Sequence, residues 1–391
     1  MARKTKAELN ELCKKLNVKE LYSWSRYNTY KTDTYEYFLK YVKRIPEDRK
    51  NGIYAVSGGN CHEIVEDLYE KKIKYEDMID RYEDSLLTMN LADLKYDRND
   101  NDKNELIANK YENCMRGFFN NHQVIEFPNK VEEFITIKIS DNIYMQGYVD
   151  FIHFEKSVDE NGNKLITVVI TDWKTSTEYK GEKILHECGQ LLIYAEGIRQ
   201  LLNIPLERIK CRWNFMKYVT VMCEQANGKI KERHIERNAI GEKLLNTVKM
   251  WLKKFEYDES EIEDYASEVL LNNSLDSLPQ EVKDKFKIYD CYVYIPINQT
   301  LIDELKCDIV NTVNEIHIKE VEYEKSNDEN IFWQDVTDKE SYRLSNLSGY
   351  SRQLHKPYDK YLKENELFTN KNSGQPTESE EDDLLDFISS L

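Results

Sequence analysis

Apolar and polar positions change their period several times along the chain, and the changes mark its elements. From Leu165 to Ile170 nearly every residue is apolar or β-branched, as in a strand buried on both faces, and the run passes straight into Asp172 and Lys174. Upstream, Tyr144, Gln146, Tyr148 and Asp150 alternate with Met145, Gly147, Val149 and Phe151, which predicts a second strand. The turn-forming run Asp159-Glu-Asn-Gly-Asn163 joins the two as a hairpin whose register sets Asp150 beside Asp172. Residues two apart share a strand face, so Asp172 and Lys174 point the same way. Two carboxylates and one ammonium then converge at strand ends.

Around this hairpin the pattern predicts helices over residues 6–17, 35–44 and 61–70, the last preceded by Gly58-Gly59, read as loosening the chain. Within it His62 and Glu66 lie four apart and share a face. Residues 76–122 read as largely helical, broken by a polar loop at 96–103, with a helix over 104–119 beneath the sheet. Strands at 124–127 and 131–140 lead through Asp141-Asn142 into the Tyr144 strand. A polar loop at 175–181 precedes a helix carrying His186, Gln190 and Tyr194. Beyond it, a strand at 209–221 pairs with 229–237, a helix covers 242–257, the acidic 258–264 reads as a turn, and 274–325 is mainly helical with an apolar stretch at 289–295. The expected organisation is an N-terminal helical segment (1–57), an α/β core (58–240), a helical elaboration (241–366) and a flexible acidic tail (367–391). The fold class is therefore α/β, a central mixed sheet flanked by helices.

Two carboxylates held close resist joint ionisation unless a cation sits between them, and oxygen ligands with room for water suit Mg²⁺ or Mn²⁺. Such an ion polarises a phosphoryl oxygen and acidifies an attacking water, while a neighbouring lysine orients that water or stabilises developing charge. Phosphodiester hydrolysis follows as the natural reaction. An isolated Asp-x-Lys is more often a surface ion pair, so the surrounding elements carry the weight. Gln190 and Tyr194, one turn apart, can hydrogen-bond a phosphate or the water.

A net charge of −17 opposes nucleic-acid binding over the whole surface, so any such path must be a local basic groove together with the metal. Arg212 and Lys217 are candidate contacts, as are Arg26 within and Lys31 just after the aromatic Ser23–Tyr30 segment, which reads equally well as core. Glu126 is a further acid or a surface residue. The eight cysteines are scattered without a C-x-x-C pair, which suits reduced core thiols rather than a disulfide framework or a zinc site. No apolar run approaches the roughly 20 residues of a membrane span, and the start lacks the apolar centre of a secretory signal, so the expected location is the cytoplasm.

The order Gly147 to Asp150, Asp172 to Lys174, Gln190 to Tyr194, with His62 on an upstream helix, resembles the PD-(D/E)xK nuclease superfamily, specifically its RecB-like and Cas4-like branch, over roughly residues 20 to 220. The resemblance implies a restriction-endonuclease-like core and a metal-dependent deoxyribonuclease, an exonuclease before an endonuclease, serving DNA replication, recombination or repair in a bacterium or phage. It also implies metal ligation by His62, Asp150 and Asp172, a catalytic Lys174, and support from Gln190 and Tyr194. The role of Glu66 stays open. A non-catalytic scaffold retaining the fold is the alternative; it has no need of clustered, mutually repelling carboxylates.

Cas4-like relatives close the domain with cysteines that ligate an iron–sulfur cluster. Here Ser345, Ser348 and His355 stand in the corresponding region, which lacks cysteine, so no cluster is expected. The tail, Glu378 to Leu391, sets Leu384, Leu385, Phe387 and Ile388 among acids. Such a segment either solubilises the chain or folds on a replication or recombination protein.

Overall fold

The computed structural model describes residues 3–48, 52–96, 102–158, 162, 164–333 and 348–350. Helix α1 (Lys6–Leu16) and the short strand β1 (Tyr22–Ser23) lead into α2 (Trp24–Thr32), α3 (Thr34–Tyr37), α4 (Ile53–Tyr69), α5 (Asp77–Leu91) and α6 (Asp102–Asn121). Strands β2 (Asn129–Lys138), β3 (Tyr144–Val158) and β4 (Lys164–Lys174) follow, then α7 (Glu182–Glu187), α8 (Gly189–Leu202), β5 (Ile209–Glu224) and β6 (Ile230–Glu236). The described chain continues through α9 (Ile240–Lys254), α10 (Glu259–Asn272), α11 (Gln280–Lys283), β7 (Phe286–Tyr294) and α12 (Gln299–Ser326). This is the α/β architecture expected, a mixed sheet between helices. α8, α10 and α12 each stop at an asparagine in the left-handed conformation, which asparagine tolerates better than most residues. Among the described residues no helix is long and apolar enough to cross a membrane.

Pairing of the strands leaves a notch in the sheet. β3 holds β2 antiparallel along one edge, from Asn129↔His153 to Lys138↔Tyr144. Its other edge is shared between β4, along Phe151–Val158, and β1, beside Met145 and Gln146. β5 is divided in the same way, pairing parallel with β4 from Val168↔Ile209 to Lys174↔Phe215 and antiparallel with β6 beyond. β7 covers its remaining edge. β4 therefore ends at Lys174 while both neighbours run on, and the carboxyl end of a strand between longer neighbours is where open α/β sheets form their crevices.

Helices cover both faces. Leu191, Leu192 and Ile198 of α8 pack over Ile135, Ile137, Met145, Val168 and Ile170, joined by Tyr30, Tyr37 and Phe38 from the N-terminal helices. On the opposite face Val65 of α4 and Met115 and Phe118 of α6 pack against Phe151, Trp173 and Met216. Each phenylalanine buried so completely contributes about 1.5–3 kcal/mol relative to exposure. A third core lies beneath α9 and α10, with Leu244, Val248 and Trp251 on Val219 and Val221. All eight cysteines are free thiols.

Several expectations change. α4 begins at Ile53 and runs through Gly58-Gly59, so these glycines are no break. Gly58 instead permits close packing, because a Cβ there would stand 3.1 Å from Thr175 Oγ1. Residues 124–127 form no strand; the Ile125 amide donates to Tyr69 Oη at 3.1 Å in place of a ladder bond. The acidic 258–264 is no turn, since Asp258 and Glu261 form a capping box that starts α10 and acids suit the positive end of a helix. The apolar stretch at 289–295 falls largely on β7. The aromatic Ser23–Tyr30 segment is core: Tyr27 and Tyr30 of α2 are buried and donate to Asp308 and Glu315 of α12. Arg26 pairs with Glu20 at 2.5 Å and Lys31 with Asp308 at 3.0 Å, so both cations are already engaged. The 159–163 turn, the 96–103 loop and the 341–358 stretch lie largely outside the described residues, and the tail wholly so. Of the 341–358 stretch, Tyr350 is buried and donates to Ile45 O at 2.8 Å.

Candidate active site

The β3–β4 ladder stops at Phe151↔Thr171, and the next positions are Asp150 and Asp172, which stand opposite each other where the strands part. Val149 and Ile152 both pack beneath α8 while Phe151 packs on the opposite face, so the alternation of β3 breaks at Asp150. The position across from it on β2 is Glu132, whose φ is 48°. That conformation costs a non-glycine residue about 1–2 kcal/mol.

Side chains from three elements close on this point. The Trp173 amide donates to Asp150 Oδ2 at 3.3 Å, and His62 Nδ1 on α4 lies 3.5 Å from the same oxygen. Lys174 Nζ pairs with Asp172 Oδ2 at 2.8 Å. Trp173, the middle residue of the Asp-x-Lys run, points to the other face, where its ring stacks on Tyr69 at 6.1 Å and meets the edge of His62 at 6.2 Å. One strand thus presents the charges on one face and fixes α4 with the other.

Charge explains the state of each group. Burial, followed by the field of Asp172 and a hydrogen bond to it, holds the Asp150 carboxyl well above its ordinary range. Burial also pulls His62 down to about 4 against the attraction of Asp172, leaving a neutral imidazole at pH 7. For Lys174 burial acts downward, but Asp172 and Asp150 outweigh it and hold the ammonium protonated.

Gln190 Nε2 donates to Tyr194 Oη at 3.1 Å, and the phenol lies against β3 where a Cβ on Gly147 would approach Tyr194 Cε1 to 2.6 Å. Glycine at 147 is required by that approach. His62, Asp150, Asp172, Lys174, Gln190 and Tyr194 are in this way brought to one place. His62, Asp150 and Lys174 line a cleft of about 630 Å³ together with Glu66, Glu132 and Tyr179. Glu66 faces this cleft as its spacing from His62 predicts, and burial, then Glu132 and Glu70, pushes it up to about 7.

Glu132 went unnoticed in the sequence, where nothing distinguishes it from Glu133; only its left-handed backbone sets it apart. Arg3 also lines the cleft and lies 3.8 Å from Glu132. Other candidates fall elsewhere. Arg212 is buried, donating to Thr171 Oγ1 at 3.0 Å and lying 3.6 Å over the Tyr292 ring, so it is no surface contact. Lys217 is buried as well, and burial pulls its ammonium down to about 8. His186 and Glu126 are exposed and outside the cleft.

No individual curated protein matches the sequence. The family model of the PD-(D/E)XK nuclease superfamily matches residues 22–282, from β1 into α11 and through every strand but β7, and the chain belongs to that superfamily.

Proposed function

We propose that the chain is a Mg²⁺- or Mn²⁺-dependent deoxyribonuclease of RecB-like or Cas4-like kind, working as an exonuclease in phage or bacterial DNA replication, recombination or repair. The observation that carries this reading is the pair Asp150 and Asp172, set opposite each other at the break between β3 and β4 with Lys174 on one and His62 beside the other. The donor set fits a hard divalent cation. Two carboxylate groups and a neutral imidazole face one notch, and Asp150 resists ionisation there without a positive partner. Members of the superfamily generally use Mg²⁺ or Mn²⁺.

Bound there, such an ion would supply Lewis acidity toward a phosphoryl oxygen and a more acidic attacking water. The chain's own residues do the rest. Asp150, Asp172 and His62 hold the ion, and the half-buried, protonated Lys174 orients the water and offsets negative charge as it builds in the transition state. Gln190 and Tyr194 position a phosphate oxygen from the α8 side. The local basic path that a chain of charge −17 requires is best matched by a neighbouring cleft of about 990 Å³ lined by Lys71, Lys74 and the exposed Phe127, since the Lys72 shared by both clefts is already paired with Asp67 and Glu70.

The test is hydrolysis of end-labelled linear and closed circular DNA, single- and double-stranded, with Mg²⁺, Mn²⁺ or EDTA. Release of mononucleotides or short fragments from linear DNA alone, abolished by EDTA, is expected. Cutting of closed circles would remove the exonuclease assignment, and absence of any cutting with either ion would remove the enzyme.

A further inference from the structure

Away from the notch, one group of metal-ligating side chains is drawn together more tightly than any candidate in it. Glu178 lies on the segment that leaves Lys174, His234 on β6 and Cys291 on β7, and one ligand atom from each falls within 4.8 Å of the other two. His234 Nδ1 is 2.6 Å from Glu178 Oε2, and the Cys291 thiol donates to the same oxygen at 3.7 Å. The sheet places them. His234 stands across from Thr220 of β5, and Cys291 stands at the register shift of β7 against β5, between Asn214 and Val219.

Burial makes this grouping chemically demanding. Glu178 is 5 % exposed and Cys291 0 %. Glu178 Oε1 is buried and pairs with the ammonium of the exposed Lys180, while Oε2 faces His234 and Cys291. Lys180 reaches the carboxylate from the solvent side, so the inner oxygen is the one left to share with the imidazole and the thiol. Packing alone explains a buried cysteine, but not why its sulfur, an imidazole nitrogen and a carboxylate oxygen share one point.

We propose that Glu178, His234 and Cys291 form a second metal site, which binds a borderline-soft divalent cation of the Zn²⁺ class. One sulfur, one nitrogen and one oxygen are the ligand types Zn²⁺ takes, and three protein ligands leave the fourth tetrahedral position to water. Mg²⁺ favours an all-oxygen shell, so the thiol separates this site from the notch by metal type. On binding, Cys291 loses its proton to solvent, the sulfur–metal bond replaces the S–H bond, and no oxidant or reductant takes part. The site pins residues 175–181, between Lys174 on β4 and Gln190 on α8, to β6 and β7. It therefore steadies the catalytic notch without touching substrate.

The full-length chain, stripped with a chelator and titrated with Co²⁺ as a spectroscopic probe, tests this. One equivalent of Co²⁺ should give a near-ultraviolet thiolate charge-transfer band, displaced by stoichiometric Zn²⁺ and not by excess Mg²⁺, and Zn²⁺ should raise the thermal midpoint. Cys291→Ser should lose the band, and His234→Gln, at a half-buried position that leaves the core intact, should lose Co²⁺ binding at this site with an unchanged far-ultraviolet circular dichroism spectrum. Asp172→Asn should keep both the band and the Zn²⁺ response, which separates this site from the proposed catalytic one. No band, a band that survives His234→Gln, or a band lost in Asp172→Asn would each overturn the proposal.

Discussion

Two clusters in this molecule each set an aspartate beside a histidine and a basic side chain, one buried and one lining a cleft, and they reach opposite electrostatic states. In one, Asp290 Oδ2 is 2.7 Å from His122 Nδ1 and accepts the Gln123 amide at 3.0 Å, while Oδ1 accepts from Arg237 at 2.5 Å. Burial alone would raise the Asp290 carboxyl, but His122 and Arg237 outweigh it and bring it to about 2. In the other, Asp150 faces a second carboxylate and is driven up, although it too has a histidine beside it and a lysine near. Tyr69 touches both clusters, bonding His122 Nε2 at 3.0 Å and stacking on Trp173. The difference lies in the balance of charge. A cluster that neutralises itself ties elements together, whereas one left with excess negative charge calls for a ligand.

The largest effect should come from the self-neutralised cluster. Asp290→Asn leaves Arg237 buried without its anion and should cost about 3–5 kcal/mol in urea or thermal unfolding. Because the folded-state carboxyl lies below its unfolded value of about 3.9, its stabilisation is full above that pH and is lost as pH falls toward the folded value of about 2. The gap between wild type and variant should therefore narrow across that acid window. A constant gap would show that the loss comes from packing instead of charge.

Lys174→Ala should lower the single-turnover rate of DNA hydrolysis by about 10²–10³-fold, the usual cost of removing a group that stabilises transition-state charge. Its thermal midpoint should stay near the wild-type value. A variant that unfolds at the same time would place Lys174 with the structural cluster and erase the contrast.

A smaller effect of opposite sign is expected at Asp150. Its folded-state carboxyl lies above the unfolded value, so in EDTA the wild type loses stability as pH rises above about 4. Asp150→Asn removes that penalty and should stabilise the metal-free protein at pH 7 by about 0.5–2 kcal/mol while abolishing hydrolysis and weakening Mn²⁺ binding by calorimetry. Destabilisation comparable to Asp290→Asn would mean that Asp150 is satisfied within the fold.

The Asp150–Asp172 cluster was the more legible of the two in sequence, and locality explains why. A β-branched run that ends abruptly in Asp172 and Lys174, a short hairpin back to Asp150, and His62 on an adjacent helix each leave a local mark. Asp290 and His122 are 168 residues apart and leave none. Arg212 and Lys217 stand in the sequence as candidate nucleic-acid contacts, and the aromatic lid that covers Arg212 comes from β7, far along the chain. Gly58-Gly59 reads in sequence as loosening the chain, since the side chain that packs closely on Gly58, Thr175, belongs to another element. Pairing of β1 with β3, which completes the notch, rests on two residues and has no period to detect.

The finest division of roles falls at Tyr194, a core residue that is also part of the proposed site. Its ring fills the space left by Gly147 and belongs to the packing beneath α8, while its hydroxyl accepts from Gln190 and lies within the field of Asp150 and Asp172. Tyr194→Phe keeps the ring and removes only the hydroxyl. A single neutral hydrogen bond is worth about 0.5–1.5 kcal/mol, which corresponds to a loss in kcat of roughly 2–12-fold. Stability should change by less than that, because the half-buried Gln190 amide can turn toward water, whereas Gly147→Ala should reduce stability and rate together by driving the ring from its place. Equal stability losses in the two variants, with no change in rate for Tyr194→Phe, would assign Tyr194 wholly to the core and leave Gln190 to act alone.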